Sequence, residues 1–269
     1  MYHLIATDLD GTLLLPDDRI GEYSHGVLKR LLDAGKQVVI ATGRSQPDVE
    51  SILRPYDLPV HLITANGARI SSACKGLDVS EHLAPQAVRV LLDATRHEPN
   101  LVTNLYCQSR WITNADGQLL EAFNRHEGFR PTVLDPDEFP TEAVEKIFFI
   151  HKDRDHEALV VLDEQLKRRL GAQVHSTFSS PWCLEMMAGG VSKGHALKKL
   201  AQFLQVPLSQ CIAFGDGMND VEMLSSTGKG LVMGTAHAKV FQALPGHEAL
   251  GSCREESVAR YLAAHLLAQ

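Results

Sequence analysis

Five short apolar runs, each stopping at a small or polar residue, limit the folds open to this chain. Leu4-Ile5-Ala6-Thr7 stops at Asp8, and Val38-Val39-Ile40-Ala41 at Thr42-Gly43-Arg44. His61-Leu62-Ile63 leads into Thr64-Ala65-Asn66-Gly67, Cys211-Ile212-Ala213-Phe214 into Gly215-Asp216, and Leu231-Val232-Met233 into Gly234. Runs of this length without polar alternation suit strands covered on both faces, as in a parallel sheet. Between the first two, Val27, Leu28, Leu31 and Leu32 recur at helical spacing over residues 23–34, with Gly35 as the stop. Strand, helix, strand predicts a right-handed crossover. A further helix is predicted over 192–204, started by Ser192, with Leu197, Leu200, Ala201 and Leu204 on one stripe. Ligands of doubly wound sheets bind beyond the carboxyl ends of the strands. Asp8, Thr42, Asn66 and Asp216 all fall at such ends.

The middle of the chain has another rhythm. Helices are predicted over 85–98 and 155–170, a hairpin from 101–106 with 111–113, a strand over 146–151, and an antiparallel pair from 173–178 with 182–187. The expected organisation is therefore an α/β core built from residues 1–83 and 187–269, interrupted by an α+β module over 84–186. Gly189-Gly190 and the Leu83-Ala84-Pro85 region are the expected hinges.

Bulk properties exclude more than they identify. The longest stretch free of charge, Leu200 to Gly215, carries Gln202, Gln205, Pro207, Ser209 and Gln210 and is no membrane span. No basic segment precedes the first motif, so no signal peptide is expected. Five dispersed cysteines without a C-x-x-C pair read as reduced thiols, which points to the cytoplasm. A formal charge of −7 disfavours a large nucleic-acid surface. The thirteen histidines show no metal-ligand spacing and read as surface or packing residues.

The most informative segment for chemistry is Asp8-Leu9-Asp10-Gly11-Thr12. Strand alternation would send Asp8 and Asp10 the same way, and the glycine lets the backbone turn. Two carboxylates in so small a space are costly unless a cation sits between them. Asp-Gly is also a common turn, and Asp-x-Asp alone is a weak signal.

Three further segments sharpen the reading: Ala41-Thr42-Gly43-Arg44, Gly190-Val191-Ser192-Lys193-Gly194 and Phe214-Gly215-Asp216-Gly217-Met218-Asn219-Asp220. In this order and spacing the chain resembles the haloacid dehalogenase superfamily over nearly its whole length, in particular the Cof-type phosphatases. It looks closest to their pyridoxal-phosphate and sugar-phosphate branch. The resemblance implies a Rossmann-like doubly wound parallel-sheet core with an inserted α+β cap of the C2 type. It also implies a Mg²⁺-dependent phosphomonoesterase acting on small phosphorylated metabolites, with no nucleic acid, membrane or obligate protein partner.

For the residues, the resemblance makes Asp8 the nucleophile that becomes an aspartyl-phosphate and Asp10 the general acid/base. The metal falls to Asp8, Asp216 and the backbone carbonyl of Asp10, and oxygen-only donors favour Mg²⁺ over zinc. Without a cation, two like charges at ~4 Å repel by about 4 kcal/mol at an effective dielectric near 20. Lys193, at a helix start, would offset charge on Asp8 and the phosphate, although a lysine there is more often simply solvated. Thr42, Gly43 and Asn219 match phosphate-binding positions, and Asp220 an orienting one. Arg44 and Asn66 read equally as cleft contacts or as loop and cap anchors. Many relatives carry a proline before the Gly-Val-x-Lys-Gly segment, where this chain has Ala188-Gly189. Tyr106, Trp111, His151, Cys183 and Glu185 are the candidates for choosing the leaving group. Two other functions stay open: a sugar phosphotransferase or mutase, and a phosphometabolite-binding regulator without turnover.

Overall fold

The computed structural model describes residues 2–74, 76–123 and 129–267. Contacts divide the chain into two compact units, one of residues 1–43, 52–79 and 192–269, the other of 44–51 and 80–191.

The first unit is built on an eight-stranded sheet. In order across it run Glu248–Leu250, Lys229–Met233, Cys211–Gly215, Leu4–Thr7, Gln37–Ala41, His61–Thr64, Arg69–Ser71 and Asp78–Ser80. The first six pair in parallel, and Arg69–Ser71 turns back antiparallel on His61–Thr64. Every residue of Leu4–Thr7 and His61–Thr64 is buried, as the uninterrupted apolar runs require. From Leu4–Thr7 the chain winds one way through Gln37–Ala41 and later returns on the other side through Cys211–Gly215. The order therefore reverses between Leu4–Thr7 and Cys211–Gly215, a topological switch point where the crossovers part and leave a crevice.

Helices Glu22–Asp33 and Lys193–Phe203 lie where the periodicity predicts them. Ser192 caps the second, its Oγ accepting the His195 N–H at 3.0 Å. Leu197, Leu200 and Ala201 pack with Leu4, Ala6, Val39, Ile63 and Ala213 in one core. One expectation fails at the first motif. The strand ends at Thr7, so alternation does not set the direction of Asp10. Residues Leu9–Leu13 instead form a tight turn, with Gly11 at φ +76° and the Leu14 N–H bonded to the Leu9 carbonyl.

The second unit is an antiparallel sheet ordered Val174–Ser180, Cys183–Ala188, Val144–His151, Leu101–Cys107, Arg110–Thr113 and Thr132–Val133, only the last pair being parallel. Leu105, Ile147, Phe149, Leu184 and Met186 pack with helices Pro85–Thr95 and His156–Leu170 through Val88, Leu91, Leu159, Leu162 and Leu166. Gly189 is a close-packed position and not the free hinge expected. Its N–H bonds to the Gln173 carbonyl, and a Cβ there would meet the Ala172 carbonyl oxygen at 1.9 Å. No helix among the described residues is long and apolar enough to cross a membrane.

Candidate active site

The parallel strands flanking the switch point deliver their carboxyl ends to one edge of the first sheet. Asp8 follows Leu4–Thr7 and Asp216 follows Cys211–Gly215, the Asp8 N–H donating to the Phe214 carbonyl at 3.0 Å. Thr42 follows the next strand and Asn66 the one after. Four residues far apart in sequence thus share an edge because their strands are neighbours and parallel.

Lys193 is the centre of charge. Its ammonium is fully buried and donates to Asp8 Oδ1 at 2.6 Å and Asp220 Oδ1 at 2.7 Å. Burial works against this cation, but Asp220 and Asp8 outweigh it and raise its pKa. Asp220 is clamped on both oxygens, since Oδ2 accepts the N–H groups of Asp216 at 3.0 Å and Gly217 at 2.9 Å. One side chain therefore fixes both the lysine and the backbone that presents Asp216. Asp216 is also held by Thr12, whose hydroxyl donates to Oδ1 at 3.0 Å.

Gly11 explains the glycine of the first motif. Its left-handed backbone and the approach of Asp216 both exclude a side chain, because a Cβ there would lie 2.4 Å from Asp216 Oδ2. The turn carrying Asp8 and Asp10 is thereby closed against the second acidic strand end. Among the described residues, Asp8, Asp216 and Asp220 form an acidic cluster whose ligand atoms lie within 4.8 Å of one another. Burial raises the pKa of Asp8 well above the usual carboxylate value; Lys193 opposes this, while Asp220, Asp216 and Asp10 add to it. Burial, then the neighbouring Asp220, pushes Asp216 up to about 6, against the Thr12 hydrogen bond.

These observations fit a hard divalent cation. The donor set is all oxygen, and one lysine does not balance the carboxylates. Asp8 and Asp216 would hold the ion. Both oxygens of Asp220 are already engaged by Lys193 and the two backbone N–H groups. The carboxylate of Asp10 is exposed and outside this cluster, so its share would rest with the backbone.

The remaining sequence candidates fall as follows. Thr42 is buried, its N–H bonded to the Ile63 carbonyl and its carbonyl to the Asn66 N–H. Gly43 is the residue after it, at the same strand end. Asn66, at φ +56°, accepts from Asn219 Nδ2 through Oδ1 at 3.0 Å, so these two candidates are joined. Arg44 belongs with the second unit and pairs with Asp48 at 3.2 Å. Glu185 lies there too, in a buried ion pair with Lys146 at 2.8 Å, and the Lys146 ammonium sits 4.8 Å over the Tyr106 ring. Trp111 donates Nε1–H to Asn104 Oδ1 at 3.0 Å, and burial pushes the Cys183 thiol up to about 12. Sequence reasoning missed Thr12. The available signal was a hydroxyl just past the glycine of the Asp-x-Asp turn.

Residues 5–262 match the haloacid dehalogenase-like hydrolase family. The HMP-PP phosphatase of Cronobacter sakazakii is 38% identical over 262 residues, covering 97% of this chain and 95% of its own. That of Yersinia pestis is 38% identical over 266 residues, covering 97% and 94%. Among solved structures, a haloacid dehalogenase-like hydrolase from B. subtilis superposes with a TM-score of 0.85 at 25% identity, covering 98% of this chain and 99% of that one. One from Bacteroides thetaiotaomicron gives 0.80 at 25%, covering 98% and 99%. With a switch-point crevice holding the Asp-x-Asp turn, a buried lysine and a second acidic strand end, and with relatives matched over nearly their full length, the chain belongs to the haloacid dehalogenase-like hydrolases.

Proposed function

We propose that this phosphatase hydrolyses small phosphomonoesters with Mg²⁺, through an aspartyl-phosphate on Asp8. The observation that carries the reading is the Asp8 carboxylate, buried, gripped by Lys193 at 2.6 Å and packed beside Asp216. Asp8 attacks phosphorus, and the bond to the leaving alkoxide breaks as Asp10 supplies its proton. Asp10 then takes a proton from the water that cleaves the acyl phosphate, regenerating Asp8 and releasing phosphate. Asp10 suits this exchange because it stands exposed at the turn, two residues from the buried nucleophile. A Mg²⁺ ion held by Asp8, Asp216 and the Asp10 backbone carbonyl would supply positive charge that offsets the repulsion between the Asp8 carboxylate and the phosphate.

Lys193 binds the same oxygens and steadies charge on Asp8. Asp220 positions Lys193 and the Asp216 backbone. Thr42, Gly43 and Asn219 bind the phosphate, with Asn66 orienting Asn219. Arg44, Tyr106, Trp111, His151, Cys183 and Glu185 are the residues left to select the organic group. Five unpaired thiols suit the cytoplasm.

The test is phosphate release from 4-nitrophenyl phosphate with Mg²⁺ and with EDTA, followed by a panel containing HMP-PP, pyridoxal phosphate and hexose phosphates. Mg²⁺-dependent release is expected, with at least one metabolite preferred. Absence of release from every ester would overturn the reading, and formation of a sugar-phosphate isomer would favour a mutase.

A further inference from the structure

We propose that the second unit holds a separate ligand site, a cavity of about 510 Å³ that takes a small planar aromatic anion. Its size falls in the range of small-molecule sites, roughly 300–1,000 Å³. Three chain segments meet there, contributing Phe123, Ile150, His151, Lys152, Arg154 and Trp182 among others. None of the catalytic or phosphate-binding groups assigned above is among them, and of the residues left to select the organic group only His151 is.

Phe123 and Trp182 form an aromatic part of the wall, beside the aliphatic Leu119, Ala122 and Ile150. Trp182 is left 38% exposed, and Phe123 packs on Trp111 at 4.7 Å between ring centroids. Two cations, Lys152 and Arg154, line it on a chain whose formal charge is −7, beside Gln118, His151 and one carboxylate, Asp116. Arg154 has no carboxylate partner among the described residues. Its guanidinium lies 4.8 Å from the centroid of the Trp182 indole, and its backbone is left-handed at φ +57°, in a turn whose N–H bonds to the His151 carbonyl. A stacked guanidinium keeps its N–H edge free for a bidentate oxyanion.

Lys152 adds a second cation. Its nearest carboxylate is Asp116 at 3.6 Å, beyond normal hydrogen-bond length, and the Asp116 side chain is 81% exposed. His151 is buried, and its Nδ1 accepts the Asp155 N–H at 3.3 Å, which leaves Nε2 to carry the ring proton as a donor. Cations beside an indole face match a flat ring bearing a carboxylate, sulfonate or phosphate. The ring lies against the aromatic wall and the anion meets Arg154 and Lys152. An uncharged ring would leave Arg154 without an oxyanion, and a small anion without a ring would leave the exposed part of the indole in water.

Calorimetric titration of the full chain tests this with three probes: naphthalene-2-carboxylate, naphthalene-2-methanol and acetate. The carboxylate is expected to bind one per chain, and the other two at least about tenfold more weakly, the loss expected for one charge-assisted hydrogen bond or one stacking surface. Arg154→Ala and Trp182→Ala should each weaken naphthoate about tenfold while keeping hydrolysis of 4-nitrophenyl phosphate, with Arg154→Gln replacing Arg154→Ala if that variant fails to fold. Asp8→Asn should bind naphthoate like the parent. Absence of naphthoate binding, binding as tight as the parent's by Arg154→Ala or by Trp182→Ala, or loss of binding in Asp8→Asn would each overturn the proposal.

Discussion

Replacing Asp216 by asparagine should stabilise the metal-free protein and remove its response to Mg²⁺. Burial and the neighbouring Asp220 push the Asp216 carboxyl from 3.8 to about 6. Because the folded value lies above the unfolded one, the penalty is full above about pH 6, where both states are ionised, and vanishes below 3.8, where both are protonated. At about 1.4 kcal/mol per pH unit this is roughly 3 kcal/mol, which solvent screening of a partly accessible carboxylate reduces to about 1–2 kcal/mol. Asparagine removes the charge and keeps an oxygen for the Thr12 hydroxyl, which donates at 3.0 Å in the parent. Urea unfolding in EDTA near neutral pH should therefore show Asp216→Asn more stable by about 1–2 kcal/mol, with the gap closing as pH falls toward about 4. Saturating Mg²⁺ should reverse the order. The parent gains about 2.7 kcal/mol at a metal concentration one hundred times Kd, and the variant gains little. A variant less stable than the parent in EDTA would show that Asp216 is no buried charge penalty, and one that gains equally from Mg²⁺ that it is no metal ligand.

Lys193→Met removes the cation between two buried carboxylates and should destabilise the fold by about 3–5 kcal/mol while abolishing turnover, read by urea midpoint and phosphate release. Gly11→Ala places a Cβ 2.4 Å from Asp216 Oδ2 at φ +76°, so kcat should fall and Tm drop by several degrees, equivalent to about 1–3 kcal/mol. Asn66→Ala leaves Asn219 without its 3.0 Å partner; KM for phosphoesters should rise several-fold, by about 1 kcal/mol of binding, with kcat less affected.

The central parallel strands were legible because a strand covered on both faces carries little but apolar residues, and Leu4–Thr7, Gln37–Ala41 and Cys211–Gly215 do. The helix from Lys193 was legible from its serine cap and leucine stripe. The short strands Arg69–Ser71, Asp78–Ser80 and Glu248–Leu250, at or next to the sheet edges, were not, since three partly exposed residues hold no periodicity. The eight-residue helix Gln46–Leu53, with Pro47 and Asp48 in its first turn, was hidden for a similar reason.

At the site, the motifs singled out Asp8, Lys193 and Asp216, and the resemblance gave Asp220 an orienting role, but not the bonds through which it acts. That Asp220 grips Lys193 with one oxygen and two backbone N–H groups with the other depends on packing across 27 residues. Thr12 reaches Asp216 across 204 residues, and Glu185 meets Lys146 through strand register alone. Gly189 read as a hinge because a sequence shows the missing side chain and not the carbonyl packed against it.

The claim on which the mechanism rests is that Asp8 itself accepts the phosphoryl group. Acid quenching during turnover with Mg²⁺, borohydride reduction of the acyl phosphate and mass analysis of the tryptic peptide ending at Arg19 test it directly. Reduction at position 8 is expected in the parent, only when substrate and Mg²⁺ are both present, and none in Asp8→Asn. Full turnover with position 8 never modified, or modification at another residue, would contradict it.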